Sequence, residues 1–396
     1  MATQNQNIHK ILIATDKFKG SLTSAQAAEA IQSGLEEKFL LPDSSCKPEF
    51  RIIEIADGGD GSLEVLQGKL HGSQVVPVKV HDPVGKEVVS QILIYELHGV
   101  QCAFIEMAKV SGLEMLGKGE RNPLHTSTYG MGEAIKAAMA RGVTQITLSI
   151  GGSATNDGGA GMLQALGYRF SDPEGKEIAA PICGGDLQKI ARIGAPDAGM
   201  EGRDGNILSG ITFNVICDVT NPLLGDQGAT AVYGPQKGAD VQALQQLEAG
   251  LANYASVAEK CLGVPVGYKE HPGAGAAGGV GYAGLAFLGA ELIPGWRFFA
   301  RITSLEESVQ WADLVITGEG SLDSQSLSGK VVSGVLNLAS KYNKEVIIFC
   351  GVSKLVPEEL GGIRCYSIAS LGHPLDVCMS QAAPLLQQLA KGAVAF

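Results

Sequence analysis

The sequence predicts an α/β fold in two domains, a parallel-sheet domain interrupted by a second, mixed α/β domain. Three observations carry this. At 396 residues the chain is too long for one ordinary hydrophobic core. Towards both ends, short apolar runs alternate with helically spaced ones, the βαβα order of a parallel sheet. The middle instead carries period-2 alternation, which suits antiparallel pairs. Residues 1–80 with 290–396 are therefore expected to form a discontinuous Rossmann/flavodoxin-like domain. Residues 81–289 are expected to form the inserted domain, with an active site in the cleft between the two.

The elements follow in order. Lys10–Ala14 is a strand, Thr15–Leu22 a loop, and Thr23 with Gln26 a capping box before a helix that keeps Ala27, Ile31 and Leu35 on one face. The strand Arg51–Ala56 ends on Asp57-Gly58-Gly59-Asp60-Gly61 and leads into a helix over Ser62–Leu66. Val76–Val80 and Val88–Tyr95 alternate as antiparallel strands, and Ala103–Glu106 is another. A helix over Thr128–Ala140, closed by Gly142, precedes the buried strand Val143–Leu148, a glycine-rich loop and a helix carrying Met162, Leu163, Ala165 and Leu166. The strand Phe213–Cys217 ends at Asp218; a long helix, Asp240–Cys261, stops at Gly263; a Gly/Ala-rich helix runs from beyond Gly273 to Gly289. Strands Leu314–Thr317, Glu345–Cys350 and Cys365–Ala369, the helix Gly329–Ser340 and a last helix to about Leu389 complete the pattern.

Composition narrows the function. A net charge of −11 argues against nucleic acid or an anionic membrane as partner. It leaves a nucleotide possible, since Mg²⁺ and local dipoles offset the mean charge. The eight cysteines are scattered without a C-x-x-C pair, as in a reduced cytosolic protein. Met1–Lys10 has no apolar signal core, and no run is long enough to span a bilayer. A cytoplasmic protein acting on small molecules, as monomer or homodimer, is expected.

The loop Gly151–Gly161, between a strand and a helix, carries the chemistry. Its glycines bring backbone N–H groups to a helix N-terminus, an anion site by geometry and dipole. Ser153, Thr155, Asn156 and Asp157 lie within it. A second such start lies at Thr126, Ser127 and Thr128. Acids also recur at strand ends: Asp16, Asp57 and Asp60, Asp218, then Glu319 and Asp323 after Gly318. Such carboxylates can hold Mg²⁺ or take a proton from an attacking hydroxyl, although each alone is also an ordinary turn or cap. Lys17, Lys19 and Lys237 sit in tight loops where a point charge could meet phosphate. Neither a P-loop nor a protein-kinase motif set is present. Gly273–Gly278 matches G-x-G-x-x-G but follows Lys269-Glu270-His271-Pro272 rather than a strand, so it fails the dinucleotide context.

Several blocks together resemble the glycerate kinases of the bacterial type I family. They are Asp16–Leu22, Ala56–Gly61, Asn122–Gly130, Gly151–Gly159, Cys217–Leu223, Gly234–Ala239, Pro272–Gly279, and Thr317–Gly320 with Asp323 and Gln325. They keep the family's order over nearly the whole chain. Ser321 departs from a commonly basic position, and Thr15 and Lys17 from a common Pro and Ser. The resemblance implies ATP- and Mg²⁺-dependent phosphorylation of D-glycerate, with 2-phosphoglycerate favoured over 3-phosphoglycerate. In that picture Asp218 is the base, and Lys19 and Lys237 balance phosphoryl charge. Gly151, Gly152, Ser153, Thr155, Asn156, Asp157, Thr126, Ser127, Thr128, Gly318 and Glu319 bind ATP or glycerate, and Asp57, Glu319 and Asp323 hold metal. The alternatives are a nicotinamide-dependent oxidoreductase of a small hydroxy acid, resting on Gly273–Gly278, and a non-catalytic sugar-acid-binding protein.

Overall fold

The computed structural model describes residues 8–39, 47–55, 61–196, 208, 210–327 and 330–393; Asp57 and Asp60 lie outside them. The strands are β1 (Lys10–Thr15), β2 (Glu49–Ile52), β3 (Gln74–His81), β4 (Glu87–Leu97), β5 (Val100–Glu106), β6 (Gln145–Ser149) and β7 (Arg169–Ser171). They continue as β8 (Arg192–Gly194), β9 (Thr212–Ile216), β10 (Glu291–Ile293), β11 (Leu314–Leu322), β12 (Glu345–Ser353) and β13 (Arg364–Ser367). Two compact units result: Met1–Asp57 with Pro294–Phe396, and Gly58–Ile293. The first crossing comes at Asp57/Gly58 rather than near residue 80, because β3 pairs along its length with β4 of the second sheet.

The first unit is built on a parallel sheet in the order β13-β12-β11-β1-β2. The chain steps from β1 to β2 on one side, and the later strands add on the other. Strand order therefore reverses between β1 and β11, and the crevice beyond the carboxyl ends at such a reversal is where α/β sheets bind ligands. Thr23 and Gln26 form the capping box, each side chain accepting the other's N–H at 3.2 and 3.0 Å. The helix they start, Ser24–Phe39, packs on the last helix, Ala382–Gly392. Gly34 makes that approach possible, since a Cβ there would lie 2.2 Å from the Gln387 carbonyl oxygen. Ile11, Ile13, Ile31, Leu35, Ile316 and Leu386 close the core.

The second unit holds a six-stranded sheet in the order β10-β9-β6-β5-β4-β3. β3, β4 and β5 pair antiparallel, as their alternation predicts, and β5, β6, β9 and β10 pair parallel. The helices Tyr129–Met139, Ala160–Ala165, Val241–Leu262 and Ala276–Phe287 add their apolar faces to one core with these strands. The short pair β7–β8 and the edge strand β10, three residues each, lie below the length at which periodicity is readable. Among the described residues, no helix is long and apolar enough to cross a membrane.

Candidate active site

In the second unit the blocks singled out by sequence pack into a single knot around the loop after β6. Asp157 is fully buried at its centre. Its Oδ2 accepts the Thr128 N–H at 2.8 Å, the Thr128 hydroxyl at 2.7 Å and the Gly161 N–H at 3.2 Å, while Oδ1 accepts the Gly159 N–H at 3.1 Å. The Thr128 hydroxyl in turn accepts the Met162 N–H at 2.9 Å. One carboxylate thus ties the entrances of two helices, Tyr129–Met139 and Ala160–Ala165, whose orphan N–H groups a buried position leaves without water. Burial pushes its carboxyl up, against the pull of these donors.

The neighbouring side chains also turn inward. The Ser127 hydroxyl donates to the Ile182 carbonyl at 2.6 Å, Thr126 to the Ala154 carbonyl at 3.1 Å, and the Asn156 amide to the Thr230 hydroxyl at 3.1 Å. The Thr155 hydroxyl and Asn156 Oδ1 are buried polar atoms without a protein partner. Of the expected anion-binding loop, Gly151 and Gly152 alone reach the surface substantially. Asp157, Thr128 and Ser127, expected to present oxygens to a ligand, are thus buried and make their hydrogen bonds inside the protein. A cap and a ligand site use the same residue types, which is why sequence does not separate them.

Lys237 belongs to the same knot. It is 1 % exposed, and its ammonium nitrogen donates to the Thr155 carbonyl at 2.6 Å. Burial pushes its pKa down to about 7, and the Asp157 carboxylate opposes that fall. A lysine so placed fixes the loop; it is not the exposed point charge that its tight-loop setting suggested. Gly273–Gly279 buttresses the other side. A Cβ on Gly278, at φ +67°, would lie 2.1 Å from the Thr155 carbonyl oxygen, and the Gly158 N–H donates to the Gly278 carbonyl at 2.9 Å. Those glycines serve close backbone packing, and the dinucleotide reading loses its one feature.

What the second unit does expose is Asp218, just beyond β9. The turn behind it is rigid. The Asn221 amide donates to the Gln227 carbonyl at 2.7 Å, its Oδ1 accepts the Tyr233 hydroxyl at 2.7 Å, and its carbonyl accepts the Gly275 N–H at 2.9 Å.

In the first unit the carboxyl ends of β1 and β11 bring Asp16, Lys17, Lys19, Gly318 and Glu319 to one edge. The Asp16 N–H donates to the Gly318 carbonyl at 2.9 Å, and a Cβ on Gly320 would lie 3.0 Å from the backbone nitrogen of Lys19. β11 runs on to Leu322, so Glu319 is a strand residue paired with Cys350, beyond the end of β1. Asp16 and Glu319 are both 8 % exposed, and Lys19 is exposed. Asp323 works as a cap: its Oδ1 accepts the Ser326 N–H at 3.3 Å, and Lys354 stands 4.0 Å from its Oδ2. Among the described residues no group of three or more metal-type side chains forms.

Sequence reasoning missed Glu106. This acid ends β5 and is buried; its two oxygens accept the Gly61 and Leu63 N–H groups at 2.9 and 3.1 Å, at the start of the helix Ser62–Lys69. Burial pushes it up to about 7. The signal was present, an acid closing an apolar strand, but no glycine follows it to mark a loop.

Comparison with known proteins completes the description. The profile of the Glycerate kinase family matches residues 11–396. A glycerate kinase of Halalkalibacterium halodurans is 42% identical over 388 residues, 97% of each chain. A glycerate 2-kinase of Escherichia coli K12 is 42% identical over 360 residues, 91% of this chain and 88% of that one. A crystal structure from Salmonella typhimurium LT2, described as an inferred glycerate kinase 2, superposes with a TM-score of 0.77 at 39% identity, covering 97% of both chains.

Proposed function

The chain belongs to the glycerate kinase family, enzymes that transfer a phosphoryl group to an alcohol, and from that premise we propose that it phosphorylates D-glycerate with ATP and Mg²⁺ at the 2-hydroxyl. The likeness along the whole chain carries this reading. The acids and lysines at the carboxyl edge of the parallel sheet support it, since phosphoryl transfer needs positioning and charge stabilisation more than covalent chemistry.

Asp16 and Glu319 fit Mg²⁺ by their donor chemistry: hard oxygens just past the point where β1 ends against β11, where that ion takes one or two carboxylates and leaves its other positions to phosphates and water. Bound there, Mg²⁺ would neutralise phosphate charge. Lys19, exposed on the same edge, offers a mobile positive charge to the transferred group. In the second unit, Asp218 would accept the proton of the attacking hydroxyl, a role supported by its exposure beyond β9 and by the braced turn at Asn221 that follows it. Lys237 and Asp157 hold the Gly151–Gly161 loop from within, leaving Gly151 and Gly152 as its ligand-facing backbone.

Purified protein should release ADP only with D-glycerate, ATP and Mg²⁺ together. Replacing Asp218→Asn should lower kcat by about 10²-fold or more with little change in KM. An unchanged kcat removes Asp218 from the role of base; no glycerate-dependent turnover by the wild type removes the function.

A further inference from the structure

A cavity of about 220 Å³ opens at the carboxyl edge of the parallel sheet, where strand order reverses. Gly320 and Gly351 of β11 and β12 reach it, Phe18 and Ile368 line its inner wall, and Lys19 stands at its rim. Its walls are mostly apolar. Three of its lining side chains are large, apolar and well exposed: Leu375 at 77 %, Met379 at 40 % and Val352 at 38 %. Apolar groups gathered in the open around one hollow mark a binding surface more often than scattered ones do.

The two glycines explain the depth. A Cβ on Gly351 would lie 2.5 Å from the Gly320 carbonyl oxygen, so the strand tips meet more closely than side chains permit. Size then selects the occupant. Pockets for whole ligands run to about 300–1,000 Å³, so this one takes a flat ring and not an entire nucleotide. Chemistry selects it too. A small hydroxy acid carries a carboxylate that apolar walls would strip of water without compensation. A heteroaromatic ring is uncharged, so it loses far less there than a carboxylate and gains contact with the Met379 thioether.

We propose that this cavity seats the purine ring of the phosphoryl donor, with its phosphates leaving past Lys19 along the edge that carries Asp16 and Glu319. This rests on the kinase reading above and adds where the donor is recognised. The ring is gripped by shape and apolar contact, so discrimination among nucleotides comes from the segment Ile368–Ala382, outside every block that pointed to the family.

The test is calorimetric binding of Mg²⁺-ATP and of Mg²⁺-tripolyphosphate to the full-length wild type and to Ala369→Phe, which fills the cavity from an exposed position. ATP binding should weaken at least tenfold, and tripolyphosphate binding should stay within twofold. Leu375→Ser, at the exposed rim, should weaken ATP several-fold with an unchanged melting temperature, which guards against misfolding of the first variant. ATP bound equally well by wild type and both variants overturns the cavity, even where the wild type turns over D-glycerate. A wild type without turnover, whose ATP binding still weakens in Ala369→Phe, overturns the kinase reading and leaves the cavity standing. A wild type that binds no ATP overturns both.

Discussion

Replacing Asp157→Asn separates a structural clamp from a ligand-binding carboxylate. Asparagine keeps the shape but has one acceptor oxygen. With that oxygen in the place of Oδ2, the three donors from Thr128 and Gly161 are still met. The amide then faces the Gly159 N–H and leaves it buried without a partner, which costs about 1–3 kcal/mol. The negative charge at the entrances of two helices goes as well, roughly 0.3–1 kcal/mol each. Relief from burying a charge offsets part of this. A net loss of about 2–4 kcal/mol follows for the second unit, a melting shift of roughly 4–16 °C for a unit of this size. Both tryptophans, Trp296 and Trp311, lie in the first unit, so near-ultraviolet dichroism of the second unit's buried Tyr254 and Tyr282 is the suitable probe. A variant that melts like the wild type but needs far more Mg²⁺ or ATP for turnover would refute the clamp.

Two titrations give signed predictions. Lys237 is held near 7 in the fold against 10.5 when free, so between those values the unfolded chain binds the extra proton and stability rises with pH. Lys237→Met should flatten that rise in urea midpoints, and a persisting slope would exclude Lys237 as its source. Glu106 is raised from 4.5 to about 7, so the folded state holds a proton that the unfolded chain has lost, and stability falls as pH climbs through that window. Glu106→Gln should remove the fall; a midpoint curve parallel to wild type would show that burial does not govern this carboxyl.

The parallel sheet was legible because short apolar runs alternate with helically spaced ones towards both ends of the chain, and β3 and β4 because Val76–Val80 and Val88–Tyr95 alternate. The first domain boundary was not, since a strand's partner is a long-range choice that no local pattern encodes. In the site, the blocks were found but their direction was not. Asp157, Ser127 and Thr128 are small polar residues at helix starts, and the same residues cap a helix or bind an anion according to whether they are buried. Lys237 shows the same limit: a lysine between glycines reads as exposed, and only packing places its nitrogen on the Thr155 carbonyl. The cavity wall from Ile368 to Ala382 was legible only in part: Ile368 and Ala369 read as the end of a strand, and the helical turns Ile368–Leu371 and Leu375–Ser380 are too short for a period to show.

The most direct measurement couples the reaction to enolase, which accepts 2-phosphoglycerate and not the 3-phosphate. Given D-glycerate, ATP and Mg²⁺, the protein should feed enolase at its full rate without phosphoglycerate mutase. A signal that waits for the mutase would place the phosphate on the 3-hydroxyl, and no signal with the mutase present would contradict glycerate phosphorylation itself.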